Sequence, residues 1–180
     1  MGASWGGLSA LERVLAALPR DFPTPIAVAQ HRSPDRGSEQ LARLLGAHSS
    51  LPVVDVDDKT PVEQGRVYLA PPDYHLYLDA DGFALSVDEA VLYSRPSIDV
   101  LFESAADIYR DRLIAVVLTG ANEDGAHGLA RIKERGGVAI VQDPATSARR
   151  TMPDAAIAAT SADAILPLEE IPKFLNGLCG

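Results

Sequence analysis

The sequence predicts an α/β sandwich in which helices cover a largely parallel β-sheet. Short apolar stretches alternate along the chain with longer stretches of helical periodicity, which is the order typical of parallel α/β proteins. The continuous apolar run at 113–118 is the pattern of a strand buried on both faces. A length of 180 residues and a hydrophobic content of 47%, without an internal repeat or linker, indicate one domain with a sizeable core.

The first half of the chain supplies helices, strands and a hairpin. Apolar residues at three- and four-residue steps predict a helix over 8–18, and Ser38 and Gly46 mark the ends of a second helix. Strands are predicted at 26–29, 53–56 and 67–70. Alternating apolar residues at 75–78 and 83–87, joined through Asp-Gly at 81–82, predict an antiparallel hairpin.

The second half repeats the strand-loop-helix order. A helix over 98–109 precedes the apolar strand 113–118, and a helix containing Leu129 and Ile132 follows that strand. A strand at 138–141 leads through a loop to an alanine-rich helix after Met-Pro at 152–153. A last strand at 164–166 and an amphipathic helix over 168–178 complete the prediction.

Composition excludes several classes of function. A net charge of −9 argues against general binding to nucleic acid or to an anionic membrane, because phosphate binding needs a basic face. No apolar run approaches the length of a transmembrane helix. The single Cys179 excludes an internal disulfide framework and fits a reducing cytosol. The four histidines are scattered, so the sequence predicts no metal site.

The stretch Gly-Ala-Ser-Trp-Gly-Gly at 2–7 precedes the first helix and contains Ser4. A helix N-terminus favours negative charge, so this turn suits either a bound phosphate or a nucleophilic hydroxyl whose reaction generates an oxyanion. A nucleotide-binding protein is the first alternative. The stretch matches neither the dinucleotide fingerprint nor the phosphate loop, and the second strand ends at His31 rather than at an acid.

Three reactive residues follow predicted strands: Ser4, His31 and Asp124. Loops at the carboxyl ends of parallel strands meet at one edge of a sheet, so these side chains form a candidate catalytic set. Serine, histidine and aspartate are the nucleophile, base and orienting acid of acyl transfer. Each also has a structural interpretation, as helix cap, rim histidine and N-cap respectively. His127, one helical turn from Asp124, is the competing base.

Several motifs in register resemble the catalytic domain of CheB-type chemotaxis receptor methylesterases. They are Gly-Ala-Ser-x-Gly-Gly at 2–7, Gln-His at 30–31, Val-Tyr-Leu-Ala-Pro at 67–71 followed by His75, Arg-Pro-Ser-x-Asp-x-Leu-Phe at 95–102, Leu-Thr-Gly at 118–120 with Asp-Gly at 124–125, Gln-Asp at 142–143 and Met-Pro at 152–153. The resemblance implies a three-layer α/β/α sandwich with a doubly wound, Rossmann-like sheet of about seven mostly parallel strands and an antiparallel hairpin.

The resemblance also implies an activity. The family hydrolyses glutamate γ-methyl esters on methyl-accepting chemoreceptors, and some members deamidate receptor glutamines. The triad falls on Ser4, His31 and Asp124, and no cofactor or metal is needed. Backbone amides of Trp5 and Ala121 are the candidate oxyanion donors. Cytoplasmic receptor helices are the implied protein substrate, with a separate receiver domain or methyltransferase as a candidate partner, and the implied location is the cytoplasm.

Five arginines lie in loops assigned to the active-site end of the sheet. They are Arg32, Arg36, Arg95, Arg149 and Arg150, with Met152 beside them. Two interpretations stay open: a solvated rim, or a basic collar for a glutamate-rich receptor helix.

Residues 1–180 are expected to form a single catalytic domain without a receiver domain. Two features depart from the family pattern: Trp5 replaces a small residue, and Glu123 adds a carboxylate beside Asp124. A non-catalytic interaction domain is therefore the second alternative. Only Met1 precedes the Gly-Ala-Ser turn, so we expect a truncated first strand and unpaired backbone groups in the centre of the sheet.

Overall fold

A computed structural model describes residues 1–32 and 38–180. In this part of the chain, the strands and helices follow the predicted order. The strands are β1 (Gly2–Ala3), β2 (Ile26–Gln30), β3 (Val53–Asp55), β4 (Val67–Leu69), β5 (His75–Leu78), β6 (Phe83–Ser86), β7 (Ile114–Val117), β8 (Val138–Gln142) and β9 (Ala164–Leu166). The α-helices are α1 (Gly7–Ala16), α2 (Ser38–Gly46), α3 (Ile98–Tyr109), α4 (Ala126–Glu134), α5 (Thr151–Ala159) and α6 (Ile171–Cys179).

Seven strands form one parallel sheet in the order β3-β4-β2-β1-β7-β8-β9. Strands β5 and β6 pair antiparallel as a separate hairpin, in the register His75 to Ser86 through Leu78 to Phe83. The predicted three-layer sandwich, with its parallel sheet and its hairpin, is therefore confirmed.

Two apolar clusters fill the space on either side of the sheet. Alternate residues of β7 point to opposite sides, so Ala115 and Val117 belong to one cluster while Val116 belongs to the other. Helices α3, α4 and α5 and the hairpin cover the first side, and α1, α2 and α6 cover the second. The continuous apolar character of β7 is thus explained by burial on both faces.

The first strand is shorter than its neighbours, as expected. Gly2 and Ala3 pair with Ala29 and Gln30 of β2, and Gly2 also pairs with Val117 of β7. Beyond the N-terminal end of β1, a cavity of about 670 Å³ separates the N-terminal halves of β2 and β7, and its lining is largely apolar. The Met1 amino group donates to Ala27 O at 2.6 Å, and burial lowers the pKa of this group from 8.0 to about 5. At its carboxyl end, where Ser4 follows, β1 is hydrogen-bonded to both neighbouring strands.

Candidate active site

The candidate site lies where the strand order reverses. The chain runs from β1 to β2, β3 and β4 on one side of the sheet, and β7, β8 and β9 lie on the other side of β1. In open parallel sheets, such a switch point opens a crevice outside the carboxyl ends of the strands. Ser4 follows β1, His31 follows β2, and Asp124 lies in the loop after β7.

The turn between β1 and α1 holds Ser4 next to the β7 loop. The Ser4 amide donates to Thr119 O at 3.0 Å, and the Gly7 amide donates to Ser4 O at 2.8 Å. Gly6 has a φ of 78°, and a Cβ there would lie 2.6 Å from the Ala148 Cβ. Only glycine therefore fits this tight turn without strain or displacement.

His31 contacts both other members of the predicted set. Its Nδ1 lies 3.1 Å from Ser4 Oγ, and its Nε2 lies 2.6 Å from Asp124 Oδ2. Since the carboxylate accepts the Nε2 proton, the neutral ring presents the Nδ1 lone pair to the serine hydroxyl. The imidazole is nearly buried, with 11% of its side chain exposed. The structure thus brings the three predicted residues into the arrangement of a nucleophile, a base and an orienting acid.

Asp124 has no exposed side-chain surface, and its carboxylate accepts four hydrogen bonds. Besides His31, its donors are the Ser97 hydroxyl at 2.8 Å, the Ile98 amide at 2.7 Å and the Asp99 amide at 3.0 Å. Burial raises the pKa of this carboxyl, but the hydrogen bonds from His31 and from the two amides outweigh burial and hold the pKa below its ordinary value. Asp124 is therefore a carboxylate at neutral pH.

Asp124, in the loop just before α4, binds amides at the start of α3, and Asp99 of α3 binds amides at the start of α4. The Ile98 and Asp99 amides at the start of α3 bind Asp124, while Asp99 Oδ1 accepts from the Gly125 amide at 2.9 Å and the Gly128 amide at 2.7 Å at the start of α4. Burial, with a contribution from the neighbouring Asp124, raises the pKa of Asp99 to about 6. The reciprocal pair orients Asp124, because it fixes α3 against α4.

Sequence analysis missed three residues that contact the candidate triad: Ser97 and Asp99 at Asp124, and Ser94, whose Oγ lies 3.2 Å from His31 Nδ1. The motif Arg-Pro-Ser-x-Asp at 95–99 was the available signal for two of them. This motif indicated the family and the start of a helix, but not the contacts of its side chains with Asp124. Ser97 does begin α3, since its hydroxyl also accepts from the Val100 amide.

Polar side chains below the site support the loops. The Gln30 side-chain amide donates to both Ser4 O and His31 O at 2.9 Å. The Thr119 amide donates to Gln142 Oε1 at 2.9 Å, and the Thr119 hydroxyl donates to Trp5 O at 3.0 Å. These contacts tie the serine turn to the loops after β2 and β7. Among the described residues, no backbone hydrogen bond occupies the amides of Trp5 or Ala121.

The predicted rim residues lie in different environments. Arg32 was expected at the rim, but only 8% of its side chain is exposed, because its guanidinium donates to Ala70 O and pairs with Asp55. Met152 was also expected there, but it is 1% exposed beneath Gly120. Both side chains turn into the protein rather than into solvent, and Arg32 also lines the cavity beside His31. A contact of either side chain with the substrate stays a prediction. Arg36 lies outside the described residues.

The other arginines remain near the surface. Arg95 lines a cavity of about 490 Å³ beside His31, and its guanidinium binds Asp73, Val87 O and Asp88 O. Arg150 is exposed and pairs with Asp154. Arg149 lies over the ring of Trp5, at 5.5 Å from the ring centroid.

The remaining histidines do not join the triad. His75 is fully buried, with its Nε2 3.0 Å from Glu89 O and its Nδ1 accepting from the Ser97 amide, so it supports the segment before α3. His127, the competing base, is exposed, whereas His31 contacts both partners. Within residues 1–32 and 38–180, no group of histidine, cysteine or acidic side chains is arranged to hold a metal ion, and no helix is long and apolar enough to cross a bilayer.

Comparisons with known proteins identify relatives that match nearly the whole length of this chain. The chain is 46% identical over 175 residues to a putative protein-glutamate methylesterase/protein-glutamine glutaminase of Leptospira interrogans, covering 97% of this chain and 90% of that protein. It is 44% identical over 178 residues to such an enzyme of Anaeromyxobacter dehalogenans, covering 99% of this chain and 52% of the relative.

A solved structure matches the fold over nearly its whole length. The crystal structure of the Thermotoga maritima CheB methylesterase catalytic domain superposes with a TM-score of 0.95 at 38% identity, covering 98% of this chain and 95% of that one. The model of the CheB methylesterase family matches residues 1–175. The chain therefore belongs to the CheB methylesterase family.

Proposed function

We propose that this chain is a serine esterase that hydrolyses glutamate γ-methyl esters on methyl-accepting chemoreceptors in the cytoplasm. Ser4 is the nucleophile, His31 the general base and Asp124 the residue that orients His31. The observation that carries the proposal is the continuous hydrogen-bonded path from Ser4 Oγ through the imidazole to the buried carboxylate. The names of the relatives support the choice of substrate.

Acylation begins with the proton on Ser4 Oγ. His31 Nδ1 takes this proton as Oγ attacks the ester carbonyl, and Asp124 stabilises the imidazolium that forms. The Trp5 amide, in the turn after β1, and the Ala121 amide, in the loop after β7, are proposed to bind the oxyanion. The Nδ1 proton then passes to the methoxy oxygen, the C–O bond breaks, and methanol leaves an acyl-Ser4 ester.

Deacylation uses the same groups in reverse. Water loses a proton to His31 Nδ1 and attacks the acyl carbonyl. The proton returns to Ser4 Oγ as the acyl bond breaks, which releases a glutamate side chain and restores the hydroxyl. With a glutamine substrate the leaving group is ammonia, so the same cycle also accounts for a glutaminase reaction.

The charge around the nucleophile supports an acidic protein substrate. The Arg149 guanidinium is held over Trp5, one residue from Ser4, and among the described residues it has no acidic partner. An unpaired cation at this position attracts a carboxylate that neighbours the ester on a glutamate-rich helix. Among the described arginines of the predicted collar, Arg149 is the one without an acidic partner, since Arg150 pairs with Asp154, Arg95 with Asp73 and Arg32 with Asp55.

Replacement of Ser4 tests the proposal. We expect Ser4→Ala to abolish methanol release from a methylated receptor while the far-ultraviolet circular dichroism stays unchanged. A fluorophosphonate probe should label Ser4 in the wild type and label it far more slowly in His31→Ala. Methanol release that survives Ser4→Ala would exclude Ser4 as the nucleophile. Labelled Ser4 without methanol release would instead favour a hydrolase for another ester or amide.

A further inference from the structure

A second hydroxyl group lies beside the base, and the mechanism above does not use it. Ser94 Oγ lies 3.2 Å from His31 Nδ1, almost as close as Ser4 Oγ at 3.1 Å. Both hydroxyls therefore face the ring nitrogen that carries the proton during catalysis. The neutral ring has one lone pair at this nitrogen, so only one of the two hydroxyls donates to it at a time.

The position of Ser94 is fixed by the backbone around it. Val91 and Ser94 exchange two backbone hydrogen bonds, at 3.1 and 2.8 Å, around a two-residue turn. The neighbouring Arg95 guanidinium donates to Val87 O at 2.8 Å and to Asp88 O at 2.9 Å, which closes the segment before the turn. These hydrogen bonds hold Ser94 next to His31. Ser97, three residues later, binds Asp124.

The Ser94 hydroxyl has two opposite effects on the rate of catalysis, and their sizes can be compared. When Ser94 donates to neutral His31, it displaces Ser4 from the lone pair, and at equal distances this lowers the reactive population by about twofold. When His31 is protonated, Ser94 Oγ accepts a hydrogen bond from the Nδ1–H group. A hydrogen bond to a charged group changes an equilibrium or a rate by about tenfold or more. The second effect is the larger one.

We propose that Ser94 is a positioning residue that accepts a hydrogen bond from protonated His31 and holds the imidazolium toward the reacting atoms. The Nδ1–H group forms as Ser4 loses its proton, and its one proton is shared between Ser94 Oγ and the reacting oxygen until it passes to the leaving group. Ser94 itself transfers no proton and forms no bond to the substrate. The inference rests on the proposed function, because it assigns Ser94 a role in the chemistry of the same triad.

The test compares Ser94→Ala with Ser94→Thr, which keeps the hydroxyl, and with Leu92→Asn as the matched control. Leu92 lies in the same turn with a φ of 47°, a conformation that asparagine tolerates well, and it is partly exposed. Methanol release from a methylated glutamate peptide gives kcat and KM. Because Ser94 acts through His31, Ser94→Ala is also measured in a His31→Ala background, through the rate of Ser4 labelling by a fluorophosphonate.

We expect Ser94→Ala to lower kcat about tenfold with KM unchanged, Ser94→Thr to restore most of kcat, and Leu92→Asn to match the wild type. In the His31→Ala background, Ser94→Ala should have no further effect on labelling. An active wild type whose Ser94→Ala variant keeps or raises kcat overturns this inference alone. An equal loss with and without His31 also overturns it. A wild type that releases no methanol overturns the proposed function, and this inference with it.

Discussion

Replacement of Asp124 by asparagine tests how far the site depends on a fully bonded carboxylate. The Ile98 amide binds Oδ2 and the Asp99 amide binds Oδ1, and neither backbone donor can rotate. An asparagine side chain has one oxygen, so each of its two orientations points an NH2 group at one of these amides. Whichever way the side chain turns, one buried N–H group loses its acceptor.

The structure gives the expected size of two separate effects, a loss of stability and a loss of rate. A buried donor without a partner costs about 1–3 kcal/mol, which corresponds to a fall in Tm of roughly 5 °C for a chain of this length. The loss in rate comes from the charge: Asp124 Oδ2 lies 2.6 Å from the His31 Nε2. An ion pair with about 4 Å between its charge centres gains about 4 kcal/mol at an effective dielectric of about 20. The expected fall in kcat is therefore about 10³-fold.

The assay measures kcat for methanol release and Tm for Asp124→Asn, with Ser97→Ala for comparison. Ser97→Ala removes one neutral donor from Oδ1 but leaves the charge and both backbone donors in place. Its kcat should therefore fall by no more than about tenfold, the size of one lost hydrogen bond. An Asp124→Asn variant with kcat within tenfold of the wild type, or with an unchanged Tm, would refute the reasoning.

Two further predictions follow from charges near the site. Arg149→Ala should raise KM for a glutamate-rich substrate and make KM less dependent on salt concentration. Arg150→Ala should change KM less, because Asp154 neutralises the Arg150 cation. Equal effects of the two variants on KM would contradict a specific role for Arg149. Asp99 has a pKa of about 6 in the folded protein, above the 3.8 of an ordinary aspartate, so the folded state binds more protons than the unfolded state between these values. The free energy of unfolding should thus fall as pH rises from about 4 to 6, by roughly 1–2 kcal/mol more in the wild type than in Asp99→Asn; parallel curves from chemical denaturation would contradict this.

The elements were predictable because burial leaves a periodic trace in the sequence. A strand covered on both faces, such as β7, reads as an uninterrupted apolar run, and the hairpin of β5 and β6 reads as alternation around Asp-Gly. The contact among Ser4, His31 and Asp124 followed from one topological rule, since each residue comes after a parallel strand. Their agreement with the structure shows that strand ends carry much of the information about this site.

The direction of loop side chains does not produce a periodic pattern in the sequence. Arg32 was expected to face the substrate because it follows His31 in a loop, yet it turns inward to Asp55 and Ala70 O. Backbone periodicity specifies faces of helices and strands, and a loop residue has no fixed face. The partner that decided the direction of Arg32 lies 23 residues further along the chain, on β3.

The contacts around Asp124 were missed for a related reason, and they explain why the site is rigid. Ser97 and Asp99 were read as the start of α3, which they are, but helix starts also carry amides that need acceptors. Here α3 and α4 approach so closely that a Cβ on Gly128 would lie 2.5 Å from the Phe102 Cβ. At this distance Asp124, just before α4, accepts from the first amides of α3, and Asp99 of α3 accepts from amides at the start of α4. Asp124 is consequently fixed by two helices before it meets His31, so the orientation of the base follows from the packing of α3 on α4.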